Sequence, residues 1–343
     1  MQHYYNGQLI QEGTYLLTEA GPAGYTGLFV DNYGELFGDY TNKPLTELSL
    51  GSLAVPSTLT PTISDGSYYA IAFPTILNPD FYGDNGAGIS FNGRVNHYDG
   101  GYAGYTPKVP MVFLKYLFHR LEVLTGVKIS GSFFTHPAYQ NLILYNTRAL
   151  DAATTITIAR HLPDLTPAQL LIELRKLLNL RYDIDLVART LVIGFWQDAL
   201  IQPTTLDWSG KAVGKPTKTP ESNTRIQLIM TPDGGDGLMK DKPAELEDYL
   251  TPGTDPGIAK ITTLFSTLLE DVSGTAKTRQ IGITSQFAQL SNTFAPRLLF
   301  WKGLSGGIPK AGPVQSTYSL FWNGASGLRA NHWAILESLR AGQ

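Results

Sequence analysis

The fold class is decided by the stretch TPAQLLIELRKLLNLRYDIDLVARTLVIGF (166–195), which has the pattern of one helix followed by two strands. Thr166 is a favoured N-cap residue, and proline at the next position is typical of a first helical turn. The leucines that follow recur at three- and four-residue steps, which predicts a helix to about residue 178 with one apolar face. Apolar and polar residues alternate over 181–186, so this segment is predicted to be a strand that pairs with 190–195.

The same pattern precedes this stretch in VPMVFLKYLFHRLEVLTG (109–126). A helix is predicted over 109–124, with Pro110 in its first turn and a glycine just past its end. Two strands, 127–134 and 142–145, are expected to follow it and to be joined by a turn. Neither helix can bury its apolar face alone, so residues 108–200 are predicted to form a duplicated helix-strand-strand unit, αββ-αββ.

The two flanking regions are predicted to be β-rich. Near the start, residues 8–10 and 13–17 are expected to form a hairpin that turns at Gln11-Glu12. Residues 78–107 are rich in Gly, Asn, Asp and Tyr and are predicted to form a long loop. Further strands are predicted at 27–30, 68–73, 225–230, 296–301 and 316–322.

These patterns predict a strand-rich α+β fold with several domains. The expected domains are 1–107, 108–200 and 201–343, the last rich in proline and glycine and ending in a short helix over 330–339. Because the chain stops directly after that helix, we expect it to be a fragment of a longer gene product.

The composition of this chain differs from that of an ordinary soluble domain. Charged residues make up 16%, whereas roughly 25% is usual, and the chain has 35 glycines and 18 tyrosines. A surface with few charges and many tyrosines is typical of a subunit that packs among neighbours. A secreted β protein with a polar, uncharged surface has the same composition, so both interpretations stay open.

Several partners and compartments are disfavoured. The net charge is −3 and no basic block occurs, so nucleic acid is not an expected partner. The chain has no cysteine, which rules out disulfides and thiolate metal sites and fits assembly in a reducing cytoplasm. No signal peptide is recognisable, and no apolar run approaches the ~20 residues that cross a bilayer, so no membrane insertion is expected.

Candidate catalytic and metal-binding patterns are weak, and we predict no enzyme, no cofactor and no metal. Gly303-Leu304-Ser305-Gly306-Gly307 matches a nucleophile motif, but the residues that follow cannot form the helix it requires. Asp233 and Asp236 are candidate Ca²⁺ ligands in a glycine-rich turn, but the glutamate expected at position twelve is one residue late. No two histidines have the spacing of a zinc hydrolase.

Aromatic residues in the predicted loops and strand ends are the candidate binding residues. They can form a platform on which sugars stack, or they can fill subunit interfaces, and we favour the interface. These residues are Tyr98, Tyr102, Tyr105, Trp208, Trp301 and Trp322.

The N-terminal pattern YNGQLIQEGTYL (5–16) and several later segments together cover about a third of the chain. They resemble tail and baseplate proteins, similar to tail hubs, of phages and prophages of Bacteroidota. The resemblance implies β-rich domains arranged in a ring around a tail axis, although this chain is shorter than such proteins usually are. The other similar segments are 107–134, 296–303, 318–324, 327–328 and 332–333.

We therefore expect a non-catalytic structural protein of a phage tail or baseplate. It is expected to assemble in the host cytoplasm and to be located in the virion. Its expected partners are other tail or baseplate proteins and copies of itself in a three- or sixfold ring. The alternative is a carbohydrate-binding or adhesin module on a surface, and an enzyme of unrecognised class is a third hypothesis.

Overall fold

The computed structural model shows a strand-rich protein. Its described helices are α1 (Leu114–Thr125) and α2 (Pro167–Leu178), with short 3-10 helices at Gly38–Tyr40, Leu45–Glu47, Ser132–Thr135, Tyr139–Asn141 and Ile158–His161. The structure describes residues 2–5, 8–12, 14–22, 24–30, 36–79, 93–104, 106–137, 139–150, 152–196, 198, 225–240, 248–250, 252–280 and 295–312.

The described strands belong to several sheets. They are β1 (Gln2–Tyr5), β2 (Gln8–Glu12), β3 (Thr14–Gly21), β4 (Gly24–Val30), β5 (Ser52–Ala54), β6 (Thr62–Asp65), β7 (Tyr68–Ala72), β8 (Ile76–Leu77), β9 (Arg94–Val95), β10 (Met111–Phe113), β11 (Lys128–Ser130), β12 (Leu142–Leu144), β13 (Thr155–Thr157), β14 (Leu180–Asp185), β15 (Thr190–Phe195), β16 (Arg225–Met230), β17 (Tyr249–Leu250), β18 (Ile258–Thr263), β19 (Leu269–Glu270), β20 (Ala276–Lys277), β21 (Leu298–Ser305) and β22 (Ile308–Gly312).

A six-stranded antiparallel sheet with the order β22-β21-β12-β10-β7-β6 forms the centre of the fold. Every residue of β10 and β12 is buried, as expected for strands covered on both faces. Helix α1 packs against β7, β10 and β12 and buries Leu114, Leu117 and Leu121 there. Burying each such side chain stabilises the fold by roughly 1.5–3 kcal/mol.

Helix α2 and its hairpin confirm the local predictions. The Thr166 hydroxyl accepts a hydrogen bond from the Gln169 amide, and the Gln169 side chain accepts one from the Thr166 amide, which makes a capping box. Asn179 adopts a left-handed conformation and ends the helix. Strands β14 and β15 pair in register from Leu180 opposite Phe195 to Asp185 opposite Thr190. The predicted apolar face is buried at Leu170, Leu171, Leu174, Leu177 and Leu178.

The first helix-strand-strand segment differs from its prediction. Met111–Phe113, predicted as the start of a helix, is strand β10, and α1 begins only at Leu114. A short, fully apolar run fits a buried strand as well as a buried helix, so periodicity alone did not separate them. Gly131, at φ 126°, ends β11, and a 3-10 helix occupies Ser132–Thr135, where the predicted strand was expected to continue.

The two segments also pair their strands differently. In the second segment β14 and β15 form a hairpin, whereas β11 of the first pairs in parallel with β15 and β12 joins the central sheet. The duplicated unit is therefore not confirmed.

The N-terminal hairpin was predicted with the wrong partners. Gln11 and Glu12, predicted as a turn, lie in β2, which pairs with β1. Strand β3 pairs instead with β4, from Thr14 opposite Val30 to Gly21 opposite Gly24. The sequence signal for the first of these hairpins is the dipeptide Asn6-Gly7, a common hairpin turn.

The three predicted domains share one sheet and one core. Ranges 1–107, 108–200 and 201–343 each contribute two strands to the central sheet. Buried residues from Leu36 to Ala311 form one hydrophobic cluster. The strand-rich class is confirmed, but the division into three domains is not.

The predicted strand at 225–230 is confirmed as β16. The predicted strand at 316–322 and the predicted helix at 330–339 lie outside the described residues.

Candidate interaction surfaces

The structure brings two of the predicted interface aromatics together. The rings of Tyr98 and Tyr102 meet edge to face at 4.9 Å. The Tyr102 hydroxyl donates a hydrogen bond to the Phe73 carbonyl at 2.6 Å, and burial raises its pKa above the usual value. Tyr102 therefore anchors its own loop to the core, and the residue as a whole is partly buried. Trp301 lies separately on β21, partly buried, and Tyr105, Trp208 and Trp322 lie outside the described residues.

The two candidate Ca²⁺ ligands bind an arginine in the structure. Arg297 is fully buried, and its Nη2 donates to Asp233 Oδ2 at 2.5 Å while its Nη1 donates to Asp236 Oδ2 at 3.0 Å. Nη1 also donates to the Thr267 carbonyl and the Thr278 hydroxyl, each at 3.1 Å. This cluster joins three separate segments of the chain. Within the described residues no group of three acidic or histidine side chains is placed to hold a metal ion.

A second buried polar network extends from this cluster. Tyr145 lies beneath the Arg297 guanidinium, with the Arg297 Cζ atom 5.5 Å from the ring centroid, and its hydroxyl donates to Gln280 Oε1 at 2.7 Å. The Asn78 amide donates to the same Gln280 oxygen at 3.1 Å. Burial raises the pKa of Tyr145. These bonds make a structural connection between the central sheet and the segment 225–280.

Ser305, in the motif that resembles a nucleophile elbow, lies in a hairpin. It ends β21 and pairs with Ile308 of β22, and the turn between them consists of Gly306 and Gly307, both at positive φ. Ser305 is exposed there. A strand-turn-strand arrangement differs from the strand-turn-helix that aims amides at an oxyanion.

The hairpin β3–β4 forms an arm that is exposed at its tip. Its two strands form a two-stranded sheet of their own, and residues 16–22 are exposed throughout. Leu16 is 52% exposed and Leu17 is 55% exposed. Successive residues of a strand point to opposite faces, so each face of the arm presents a leucine to solvent.

A basic groove lies between helix α2 and strand β18. The helix is held there by Glu173, which is 3% exposed. Glu173 Oε2 accepts the Leu264 amide at 2.7 Å, and Oε1 accepts Lys176 Nζ at 2.6 Å. Because both oxygens of this buried carboxylate are hydrogen-bonded, Glu173 connects α2 stably to the segment that follows β18. The groove lies beside this connection.

The lining of this groove combines positive charge with apolar surface. Its volume is about 620 Å³. Arg175 and Lys260 are exposed, and the side chain of neither has a hydrogen-bond or ion-pair partner among the described residues. Trp196 is 37% exposed and Ile172 is 52% exposed. No acidic side chain is among its described lining residues, which are Ile172, Arg175, Lys176, Asn179, Trp196, Lys260, Ile261 and Thr262.

A tight turn between β19 and β20 carries the most exposed large hydrophobic residue among those described. Val272, at the turn, has a relative exposure of 110%. Asp271 Oδ1 accepts hydrogen bonds from the Ser273 amide at 2.9 Å, the Ser273 hydroxyl at 2.6 Å and the Thr275 amide at 2.9 Å. These bonds define the backbone of the turn, and the Val272 side chain points into solvent.

The sequence interpretation missed both the groove and this turn. Arg175 and Lys260 belong to elements distant in sequence, and no local pattern joins them. One weak signal existed: Ile172 interrupts the polar side of α2, opposite the buried leucines.

Comparison of the chain with family models, with curated proteins and with solved structures finds no match. Among the described residues, no helix is both long enough and apolar enough to cross a membrane.

Proposed function

We propose that this chain is a non-catalytic structural subunit of a phage-like tail or baseplate. In this role it assembles in the host cytoplasm, packs against copies of itself in a three- or sixfold ring and against other tail proteins, and is carried in the virion. The observation that carries the proposal is the exposed arm β3–β4.

The arm needs a partner surface for physical reasons. An isolated two-stranded hairpin is marginally stable at best in water. The arm also exposes Leu16 and Leu17 on its two faces. Among the described strands, its outer edges pair with no other strand, and open edges favour pairing with another chain. A neighbouring subunit that covers both faces would bury these leucines and order the arm.

The composition supports the same role. A charged fraction of 16% and 18 tyrosines suit a protein whose surface is largely covered by neighbours. The resemblance of the segments 5–16, 107–134 and 296–303 to tail proteins points to the kind of assembly. The division at residues 107 and 200 and the duplicated unit stay predictions, and neither supports the assembly role, because the two segments pair their strands differently.

Immunogold labelling of tail particles from cultures that express the chain tests this proposal. We expect an antibody against the chain to label one end of purified tails and the chain to co-sediment with them. A chain found only as free protein, in cultures that do produce tails, would contradict the assembly role.

A variant of the arm then tests the mechanism. Leu16→Lys with Leu17→Lys is expected to leave the melting temperature of the purified chain unchanged but to reduce its incorporation into particles. The matched control is Leu304→Lys, since Leu304 is 58% exposed in the other hairpin, β21–β22. Equal incorporation of the arm variant and the control would show that the arm has no assembly role.

The alternative function is a carbohydrate-binding or adhesin module, and the observation that favours it is the exposed Trp196 beside Arg175 and Lys260. An aromatic ring can stack on a sugar, and the cations can pair with its carboxylate. Calorimetric titration of a monomeric chain with uronic acid oligosaccharides tests this alternative. Binding that Trp196→Ala abolishes would support it.

A further inference from the structure

We propose that the arm β3–β4 of one copy docks in the basic groove of the next copy, where β3 pairs with the open edge of β18. This inference rests on the proposed assembly role and names the surface that covers the arm. The groove is the one lined by Arg175, Trp196 and Lys260. The two chains would then share one sheet with the order β17-β16-β18-β3-β4.

Strand β18 presents an open edge to this groove. Among the described strands it pairs with β16 alone. Amides at the two ends of β16 donate to the carbonyls of Gly257 and Thr263, so the odd-numbered residues of β18 bond to that side. The backbone groups of Lys260 and Thr262 therefore face away from β16, and both residues line the groove.

Helix α2 closes only one end of the same edge. The Leu264 amide, which follows Thr262 in the outward-facing series, donates to Glu173 Oε2 at 2.7 Å. The part of the edge at 258–262 has no described strand beyond it. A segment that adds to such an edge gains affinity from main-chain hydrogen bonds and specificity from its side chains.

Strand β3 can supply the added segment. Its outer edge pairs with no described strand, and residues 16–21 are exposed. At about 3.3 Å per residue this part of β3 spans roughly 20 Å, which is enough to cover the open part of β18. Because residues 16–21 are exposed in their own chain, the arm does not occupy its own groove.

The charges of the arm and the groove are complementary. Glu19 is the only charged residue of the arm, and it is exposed. The sequence around the arm adds no cation, because residues 4–42 contain no lysine, arginine or histidine. The side chains of Arg175 and Lys260 have no hydrogen-bond or ion-pair partner among the described residues, and Glu19 of another copy can supply one.

Acidic residues of the groove's own chain do not cancel this attraction. Glu173 is paired with Lys176 at 2.6 Å, so these two charges offset each other. Asp198 and Asp255 are near the lining residues in sequence, but both accept hydrogen bonds within their own chain and neither lines the groove. The two other cations of the lining therefore keep their charge available to a partner.

The apolar surfaces of the arm and the groove are complementary as well. Leu16 and Leu17 are 52% and 55% exposed, and the groove offers Trp196 and Ile172, which are 37% and 52% exposed. Successive residues of β3 point to opposite faces, so one leucine can reach the groove while the other lies on the far face of the shared sheet. Docking therefore covers apolar surface on both chains.

The arm and the groove come from different parts of the chain, so the contact between copies is heterologous. Such contacts propagate from copy to copy and close into a ring when the rotation between neighbours allows it. Each copy would then use one arm and one groove.

Charge reversal on each side tests this contact. Mass photometry is expected to show oligomers of the natural chain. Glu19→Lys and Lys260→Glu are each expected to raise the dissociation constant between copies by roughly tenfold. A chain with both changes restores opposite charges across the contact and is expected to associate more tightly than either single variant. Matched controls at exposed positions are Glu47→Lys and Lys128→Glu, which are expected to associate like the natural chain.

Cross-linking tests the position of the arm directly. The chain has no cysteine, so introduced cysteines can be joined selectively by a short bismaleimide. A mixture of Ala20→Cys copies and Thr262→Cys copies is expected to give cross-linked pairs of one copy each. Either variant alone is expected to give none, because its cysteine faces no second cysteine across the contact. The control mixture pairs Ala20→Cys with Val187→Cys, at a valine 62% exposed in the β14–β15 turn, and is expected to give no pairs.

The outcomes separate this contact from the proposed function. Oligomers that neither charge reversal weakens, or equal cross-linking in the two mixtures, would overturn the contact while the immunogold result on particles stands. A natural chain that stays monomeric at its highest soluble concentration would also overturn it, and reduced incorporation of the leucine variant would then indicate that another tail protein covers the arm. Binding of a uronic acid oligosaccharide in the groove without any oligomer would overturn the contact and favour the carbohydrate-binding alternative.

Discussion

Replacing Arg297 by leucine is expected to destabilise the fold by about 4 kcal/mol. The change removes the donors to Asp233 at 2.5 Å and to Asp236 at 3.0 Å, and leaves two carboxylates in a site where Asp236 is fully buried. Breaking a buried ion pair from one side typically costs about 3–5 kcal/mol, because the remaining charge loses its compensation. A loss of 4 kcal/mol raises the unfolding constant nearly a thousandfold, and it is a large fraction of the roughly 5–15 kcal/mol that stabilise a domain.

Urea unfolding followed by tryptophan fluorescence and circular dichroism measures this loss. The matched control is Arg181→Leu, since Arg181 pairs with Asp183 at 2.9 Å on the surface, with both side chains substantially exposed. Exposed pairs contribute about 0–1 kcal/mol, so the control is expected to unfold near the natural midpoint. An Arg297→Leu chain as stable as this control would refute our account of the cluster.

The charge can be separated from the shape of the site by adding a second change. Arg297→Leu combined with Asp236→Asn removes one of the uncompensated charges, so the double variant is expected to recover part of the lost stability. A double variant less stable than Arg297→Leu alone would show that Asp236 stabilises the fold through its bonds to Thr278 and the Arg279 amide instead.

Three further predictions concern single positions. Burial, with nearby Arg148, lowers the pKa of His161 from 6.5 to about 3, so the natural fold loses stability as pH falls below 6.5, by about 2 kcal/mol at pH 5. His161→Leu is expected to remove this pH dependence, and equal shifts of the urea midpoint between pH 7.5 and pH 5 in variant and natural chain would contradict it. Gly131→Ala is expected to lower the free energy of unfolding by about 3 kcal/mol, because Gly131 has a φ of 126° and a Cβ there would lie 2.1 Å from a main-chain oxygen of β15. Gly101→Ala, in open space, is expected to leave the melting temperature unchanged, and equal melting temperatures of the two variants would contradict this. Thr166→Ala is expected to cost about 1 kcal/mol through loss of the N-cap, with Thr166→Ser close to neutral, and an alanine variant as stable as the serine variant would be the contrary result.

Sequence patterns located the elements whose causes are local. Thr166, Pro167 and Asn179 fix the two ends of α2 by bonds that span a few residues, so they can be recognised from the sequence alone. Strand β14 can be recognised in the same way, because one of its faces is exposed to solvent and apolar and polar residues therefore alternate along its sequence.

Elements whose causes are distant could not be located in this way. Met111–Phe113 becomes a strand because β7 and β12 offer pairing partners on both sides, and those partners lie far away in sequence. Strand β11 likewise takes β15 as its parallel neighbour instead of the nearby β12. Tertiary pairing therefore overrides the helical pattern at 109–113 and separates the two segments that look alike in sequence.

The same limit applies to the candidate surfaces. Trp196 and Lys260 meet in the groove although no motif connects them, and Val272 is distinguished only by the turn that exposes it. The rings of Tyr98 and Tyr102, both predicted interface residues, are in contact, but the Tyr102 hydroxyl also bonds the Phe73 carbonyl and so anchors its own loop.

The order of strands in the central sheet has a consequence for how the protein is made. Strands β21 and β22 form one edge of that sheet. Strand β12 lies between β10 and β21, so one of its sides stays unpaired until β21 has been synthesised. During synthesis these strands emerge after the other described strands, so the partly finished sheet keeps an open apolar edge at β12 until residues 298–312 emerge. Long-range pairing of this kind folds slowly and invites aggregation, so newly made chains are expected to depend on chaperones until then.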